Sequence, residues 1–275
     1  MKQYLDLIEH VLAKGKRKSD PQGIGNIAVC GYQMRFDLRE GFPLITTRSL
    51  KGSWKALVHE LLWFLSGSTN VADLNKYGVH IWDQWATPEI CSSLGLSTGD
   101  LGPIYGKQWR SFNGGGPEPI DQINNLMNLL KHNPDTRRLV VNSWNPAEVD
   151  TVFVAPCHHD FQFYHAEGEL SLHLTQRSAD VPIGVPFNTA EYALLLLMVA
   201  QVTGFKPVEF IHELVDTHIY LNQIEPVKTL LTREPKPLPK VTLNPDVKDL
   251  FAFKFEDFTL ENYDPHPAVK IPVGL

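Results

Sequence analysis

In the stretch Ala155-Pro156-Cys157-His158-His159-Asp160-Phe161-Gln162-Phe163-Tyr164 a lone cysteine stands just ahead of an alternating apolar run, and an arginine, Arg177, follows. A cysteine at the mouth of a strand beside a guanidinium ionises closer to neutral pH than a free thiol, and the thiolate is a strong nucleophile. A free cysteine is more often a small buried hydrophobe. Its company argues for chemistry here. Gln176-Arg177-Ser178-Ala179-Asp180, Gly184-Val185-Pro186-Phe187-Asn188 and Asp216-Thr217-His218-Ile219-Tyr220 supply a cation, a carboxylate, an amide and two hydrogen-bonding rings, which are the parts of a site for a small polar ligand.

Such residues need a frame. Tyr4, Leu5, Ile8, Val11 and Leu12 recur at helical spacing, and the polar stretch Lys14 to Asn26, with Gly23 and Gly25, predicts a loop. Trp54, Leu57, Val58, Leu61, Leu62, Phe64 and Leu65 repeat the helical period up to a stop at Gly67. Glu60 is embedded beside that stripe, where a carboxylate is unfavourable unless hydrogen-bonded or working. Leu139 to Trp144, Phe161 to Phe163 and Leu170 to Leu174 predict strands, the last two joined by a turn at Glu167-Gly168. A long helix is expected to start after Asn188 as its cap, with the apolar window Tyr192 to Val199 inside it. Phe251, Phe253 and Phe255 alternate as a final strand. Gly114 to Pro119 predicts an exposed loop. Strands mixed with long helices give the class α+β.

A chain of 275 residues that is 43% hydrophobic can bury one sizeable core, so residues 1–275 are expected to form a single domain. A net charge of −6 argues against a general nucleic-acid surface, and anionic ligands must be met by a few placed arginines. The cysteines, Cys30, Cys91 and Cys157, are three and far apart, which predicts neither a disulfide framework nor a paired-cysteine zinc site. The Cys157-His158-His159 cluster lacks a second ligand pair, so no metal is expected. The opening Met1 to Asp6 has no apolar signal core and the apolar windows are short of the roughly 18 residues of a membrane span, so a cytoplasmic protein without membrane contact is expected.

The chain resembles the thymidylate synthase family from its first helix to its C-terminal tail. The resemblance is carried by Gly31-Tyr32-Gln33-Met34-Arg35-Phe36, His59-Glu60-Leu61-Leu62-Trp63-Phe64-Leu65, Ile81-Trp82-Asp83-Gln84-Trp85, Gly99-Asp100-Leu101-Gly102-Pro103-Ile104-Tyr105-Gly106, Arg137-Arg138 and the cysteine, arginine, asparagine and histidine-tyrosine motifs above, in the family's order. It implies a large mixed β-sheet flanked by helices and a sheet-to-sheet homodimer that transfers a one-carbon unit from 5,10-methylenetetrahydrofolate to C5 of dUMP, giving dTMP and dihydrofolate. Cys157 adds to C6, and C5 then becomes nucleophilic. By the same resemblance Arg177 supports the thiolate and, with Ser178, meets the phosphate. Arg137 and Arg138 reach the partner's phosphate, and His218 and Tyr220 hold the ribose hydroxyl. Asn188 reads the uracil edge, Glu60 and Tyr105 serve the water-linked proton transfers, and His158 beside the nucleophile joins the catalytic set. Asp180 anchors the pterin, while Trp82, Trp85, Phe187, Ile81, Ile183, Gly184, Val273 and Gly274 complete the folate contacts.

The chain also departs from the family. The family's phosphate loop reads Asp-Arg-Thr-Gly-Thr-Gly-Thr; here it reads Asp20-Pro21-Gln22-Gly23-Ile24-Gly25-Asn26, so the loop arginine is missing and Lys16, Arg17 or Lys18 is left as the candidate to compensate, a lysine being a point charge without the guanidinium fork. Arg48 to Val58 is two residues longer than in the commonest bacterial members, and Leu214-Val215 replaces a Gly-Gly. Glu191 occupies a position that is usually small and polar. Gly274 replaces an alanine in the tail, which predicts a looser lid. These departures keep three alternatives in view: a hydroxymethylase that finishes with water, a shift of base to cytosine, and a nucleotide or folate binder or translational regulator with degraded catalysis.

Overall fold

The computed structural model describes residues 1–274. Helices α1 (Lys2–Lys14), α2 (Trp54–Ser66), α3 (Ala72–Asn75), α4 (Pro88–Ser93), α5 (Tyr105–Arg110), α6 (Gln122–His132), α7 (Gly184–Thr203) and α8 (Ile224–Leu231) surround strands β1 (Lys16–Lys18), β2 (Asn26–Asp37), β3 (Val140–Asn142), β4 (His158–Ala166), β5 (Glu169–Asp180) and β6 (Lys206–Tyr220). These strands form one sheet in the order β1-β2-β6-β5-β4-β3, and β7 (Lys240–Leu243) pairs with β8 (Phe258–Glu261) apart from it. The class is mixed α+β, as the sequence implies.

Within the sheet β5 and β6 are parallel and the other neighbouring pairs antiparallel. Parallel neighbours require a crossover, and α7 supplies it. Seen as sequence, α7 is long and apolar enough to cross a membrane, yet 72% of its apolar window is buried inside the fold. It packs on β5 and β6 beneath α2 and α6, so it is a core helix. Along β5 buried residues alternate with half-buried ones; Leu170, Leu172 and Leu174 face the core, while Ser171, His173 and Thr175 lie on the other face.

Three expectations need correction. α7 begins at Gly184, four residues before Asn188, because Pro186 in the first turn needs no hydrogen-bonded N–H and carries a helical φ; Asn188 is therefore inside the helix and caps nothing. Phe251, Phe253 and Phe255 lie in and between the short 3-10 turns Leu250–Ala252 and Phe255–Asp257 and pair with no strand. Phe253 alone of the three is buried; Phe251 lies under the Arg110 guanidinium at 3.9 Å, and Phe255 stacks on His59. The polar stretch after Lys14 is not all loop, since Lys16–Lys18 pair with Asn26–Ala28. By contrast α2 stops where expected: Gly67 takes φ 78° and donates its N–H to Phe64 O. Gly114 to Pro119 is an exposed loop.

Candidate active site

Sheet register brings the nucleophile to its arginine. Cys157 immediately precedes β4, His158 pairs with Gln176 on β5, and the Arg177 N–H donates to Cys157 O at 2.8 Å. The Arg177 side chain does not approach the thiol as a free cation. Its Nε donates to Pro156 O at 2.8 Å, its Nη2 to Ala155 O at 2.7 Å, and its guanidinium lies 5.0 Å from the Trp144 ring. It thereby holds the Ala155-Pro156 turn that presents Cys157.

The thiol expectation is corrected in sign. Burial pushes Cys157 above the ordinary thiol range, outweighing the opposite pull of Arg177 and of hydrogen bonds from the Tyr105 and Ser178 hydroxyls. The half-buried thiol is therefore protonated in the free protein near neutral pH.

Tyr105, the first residue of α5, is the hub. Its hydroxyl accepts the Cys157 N–H at 2.8 Å, and its ring stacks on His158 at 4.1 Å and meets the Trp82 ring edge-on at 6.1 Å. Trp82 Nε1 in turn donates to Glu60 Oε1 at 2.5 Å. Glu60 is buried, which raises its carboxyl above the usual range, and its hydrogen-bonding neighbours are Trp82 and Glu191. Cys157, Tyr105, Trp82 and Glu60 are thus linked by direct contacts although they come from three helical or loop segments and a strand mouth.

His158 enters this hub as packing. It lies between Tyr105 and Phe64, its Nδ1 sits 2.8 Å from the Tyr192 hydroxyl, and burial pushes it down to about 3, so the ring is neutral and fixed in place. This geometry suits holding Tyr105 better than carrying a proton.

Asn188, half-buried on the second turn of α7, accepts from Gln176 Nε2 at 3.1 Å through Oδ1 and donates from Nδ2 to Glu191 Oε2 at 3.2 Å. Asp180, at the end of β5, accepts the Ile183 N–H and also Gln223 Nε2 at 3.2 Å, and Gln223 reaches on to Pro272 O at 2.9 Å. The same carboxylate therefore ties the start of α7, with Ile183 and Gly184, to the tail. Asp180 pairs in register with His218 on β6. His218 meets the Tyr220 ring edge-on at 5.1 Å, and its Nδ1 faces Asp216 Oδ1 at 3.3 Å. Asp216 is drawn down to about 2, first by His218 and then by Lys18, whose ammonium is bound to it. Of the three loop cations, Lys18 is the one connected to this site.

Trp85 packs against Trp82 at 5.2 Å, and Ile81 and Phe187 are half-buried beside the core. In the tail Val273 is exposed, and Gly274 lies so close to the Tyr220 ring that a Cβ would stand 2.4 Å from Cε2. The looser-lid expectation is thereby reversed: glycine permits a contact that alanine would obstruct. Arg137 and Arg138 are exposed in the segment between α6 and β3.

Sequence reasoning missed the members that complete the polar assembly, namely Gln176, His212, Tyr192 and Gln223. Gln176 and His212 sit at buried positions of alternating strands, where a polar residue among leucines and phenylalanines was the available signal. The family model described as thymidylate synthase matches residues 2–275 of this chain.

Proposed function

The chain belongs to the thymidylate synthase family, whose reaction transfers a one-carbon unit from methylenetetrahydrofolate to dUMP, and from that premise we propose that this protein forms dTMP and releases dihydrofolate. The observation that carries the reading is the chain of contacts from the Cys157 backbone through Tyr105 and Trp82 to the buried Glu60, together with an asparagine amide, held by Gln176 and Glu191, that has one donor and one acceptor still free. That pair of free positions complements O4 and N3–H of uracil.

In this reading the Cys157 sulfur bonds to C6 of the base, its proton having left, and the ring gains electron density at C5. Once the one-carbon unit is attached, the C5 proton passes through water toward Glu60 and the bond from that carbon to the folate nitrogen breaks, leaving an exocyclic methylene. A hydride from the released tetrahydrofolate, which becomes dihydrofolate, reduces it to methyl, and the sulfur–C6 bond breaks as the ring recovers its double bond. Arg177 keeps the Ala155-Pro156 turn in place and is next to Ser178, where a phosphate would meet both. Binding that brings the Arg177 field to bear on the sulfur lowers the thiol pKa, which is what the resting site lacks. His218 and Tyr220 flank the sugar, and Asp180 with Trp82, Trp85 and Phe187 flanks the folate.

Methyl rather than hydroxymethyl product depends on keeping water from the reacting carbon. Trp82, nearly buried and fixed by Glu60, and a tail seated on Tyr220 through Gly274, support exclusion. Incubation with dUMP and methylenetetrahydrofolate, with nucleotide mass and dihydrofolate absorbance read together, tests the proposal. Thymidylate should form in step with dihydrofolate; 5-hydroxymethyl-dUMP without dihydrofolate would overturn the assignment. The active unit in this reading is a dimer joined through the half-exposed sheet face, with the exposed Arg137 and Arg138 serving the partner's phosphate.

A further inference from the structure

A run of buried side chains crosses the core to Glu60. Thr189 Oγ1 lies 3.1 Å from His212 Nδ1, and His212 Nε2 lies 2.8 Å from Gln176 Oε1. Gln176 uses its Nε2 to donate to Ser178 O and Asn188 Oδ1, so its Oε1 is an acceptor and the His212 proton is on Nε2. Burial pushes His212 down to about 3, which keeps the ring neutral and leaves Nδ1 to accept from Thr189. Asn188 Nδ2 then donates to Glu191 Oε2. Every link donates in the same direction, toward Glu191.

The run ends on two carboxyl groups. Glu191 is 1% exposed, its Oε1 is buried with no donor facing it, and its neighbour is the Glu60 carboxyl. Two adjacent buried carboxylates do not both ionise. Each carboxyl takes one neutral donor, Trp82 Nε1 on Glu60 and Asn188 Nδ2 on Glu191, but Glu191 also has a fully buried Oε1 with no donor facing it, which places the proton on Glu191 and the negative charge on Glu60. The directions agree: burial, the Glu60 charge and the hydrogen bond to Glu60 push Glu191 well above its usual range against the pull of Asn188, whereas at Glu60 the hydrogen bonds with Glu191 and Trp82 both restrain the rise that burial causes.

We propose that Glu191 is a positioning residue that shares one proton with Glu60 and, through Asn188, holds that amide in the orientation that admits uracil and rejects cytosine. The inference rests on the uracil-nucleotide reading above and identifies what would fix its specificity. Cytosine presents a donor where uracil has O4 and an acceptor where uracil has N3–H, so accepting it means turning the Asn188 amide over. Turning it would set Nδ2 against Gln176 Nε2 and Oδ1 against Glu191 Oε2. Relief requires Gln176, His212 and Thr189 to invert together and the Glu191 proton to change oxygens. The other titratable groups that feel the pair, Tyr105 from α5 and Tyr192 from α7, are pushed far up by burial and remain neutral. Among these four groups the carboxyl pair therefore carries the charge.

Steady-state kinetics with dUMP and dCMP across pH test the role. Glu191→Gln offers, in the same volume, an N–H toward Glu60 and a carbonyl oxygen toward Asn188. It should preserve the dUMP-to-dCMP ratio of kcat/KM within about threefold and move the alkaline limb of the pH profile upward, since an amide has no proton to lose. Glu191→Ala frees the amide at one end and should lower the ratio by about tenfold or more, chiefly by raising KM for dUMP. Where truncation unfolds the chain, as circular dichroism would show, Glu191→Met makes the same comparison with the volume filled. The proposal is overturned if Glu191→Gln loses the ratio as fully as the apolar variant, if the apolar variant keeps it, or if the alkaline limb stays in place in Glu191→Gln. Wild-type protein that binds neither nucleotide overturns the uracil reading itself, and that outcome is distinct from an active wild type whose Glu191 variants still discriminate.

Discussion

Around Glu60, Tyr105 and Asn188 the polar groups are buried or half-buried and tied to one another by hydrogen bonds within the chain, whereas around Lys18, Arg137 and Arg138 the charges stand on the surface. The first region is assembled before any ligand arrives. Its hydrogen bonds run through low-dielectric surroundings, where removing one partner leaves the other unsatisfied at about 1–3 kcal/mol. The second region works through exposed charge, where a pair within the free protein contributes about 0–1 kcal/mol and salt weakens it, and where a cation reaches the larger charge-assisted values only once it meets a bound phosphate. Changes on the buried side should therefore be severe and insensitive to salt, and changes on the rim graded and salt-dependent.

The largest expected effect tests the buried side. Cys157→Ser should lower kcat by at least about a thousandfold, because a serine hydroxyl is scarcely ionised at neutral pH. A variant that keeps more than a few per cent of activity removes Cys157 from the chemistry. The wild-type thiol has its own signature: burial raises its pKa, so alkylation by iodoacetamide without nucleotide should still be accelerating at pH 9, when an ordinary thiol has mostly ionised. A rate that levels off below pH 8 would show that Arg177 outweighs burial after all.

Next in size is the pair of arginines at the rim. Replacing Arg137 and Arg138 together by alanine removes charge-assisted contacts of about 1.5–3 kcal/mol each, so kcat/KM for dUMP should fall by about a hundredfold or more. Mixing this inactive protein with Cys157→Ser under subunit exchange should restore about a quarter of wild-type activity, since half the dimers are hybrids with one intact site each. No recovery, with exchange verified, would place the arginines within their own subunit's site or outside the reaction.

The two regions also differed in how far the sequence announced them. Helix α2 was legible because its apolar period runs unbroken to a glycine that takes the left-handed stop. Cys157, Arg177 and Asn188 stand in short local motifs. Strands β2 and β6 were not read, because Cys30-Gly31 and the buried His212 interrupt alternations that only pairing makes plain. The Phe251, Phe253 and Phe255 alternation misled for the opposite reason: a buried ring between two less buried ones can arise in 3-10 turns without any ladder. The Glu60–Glu191 contact had no local signal at all. It exists because α7 crosses beneath α2, which is a property of the sheet order.

Gly274 lies between the two regions and gives the third test. Gly274→Ala puts a Cβ where the Tyr220 ring now stands, and neither the ring nor the tail shifts without loosening the Gln223 bridge between Asp180 and Pro272. The Michaelis constant for methylenetetrahydrofolate should rise by about tenfold, equivalent to about 1.4 kcal/mol, with melting temperature nearly unchanged because the tail is peripheral to the core. An alanine variant that binds folate as tightly as the wild type would mean that the tail adjusts freely and that its seat on Tyr220 is incidental.

The smallest effect belongs to the loop that lacks its arginine. Pro21 is exposed, and the turn around it is held by Asp20, whose carboxylate accepts the Ile24 and Gly25 N–H groups. Lys18 is bound to Asp216, which in turn faces His218, so the lysine bears on the sugar side of the site through a half-exposed carboxylate. Lys18→Ala should raise KM for dUMP only about two- to fivefold, as expected for an exposed pair. Pro21→Arg adds a guanidinium to a loop that must order it and should lower KM about threefold, less than the full value of a charge-assisted bond. Both effects should shrink when ionic strength is raised from about 0.01 M to about 0.15 M, because the Debye length contracts from about 30 Å to about 8 Å. If Pro21→Arg changes nothing at low salt while Lys18→Ala raises KM more than about tenfold and keeps that effect at high salt, Lys18 is the loop's replacement cation and is screened from solvent when nucleotide binds. The rim would then resemble the buried side once its ligand is in place, and the contrast between the two would describe the free protein alone.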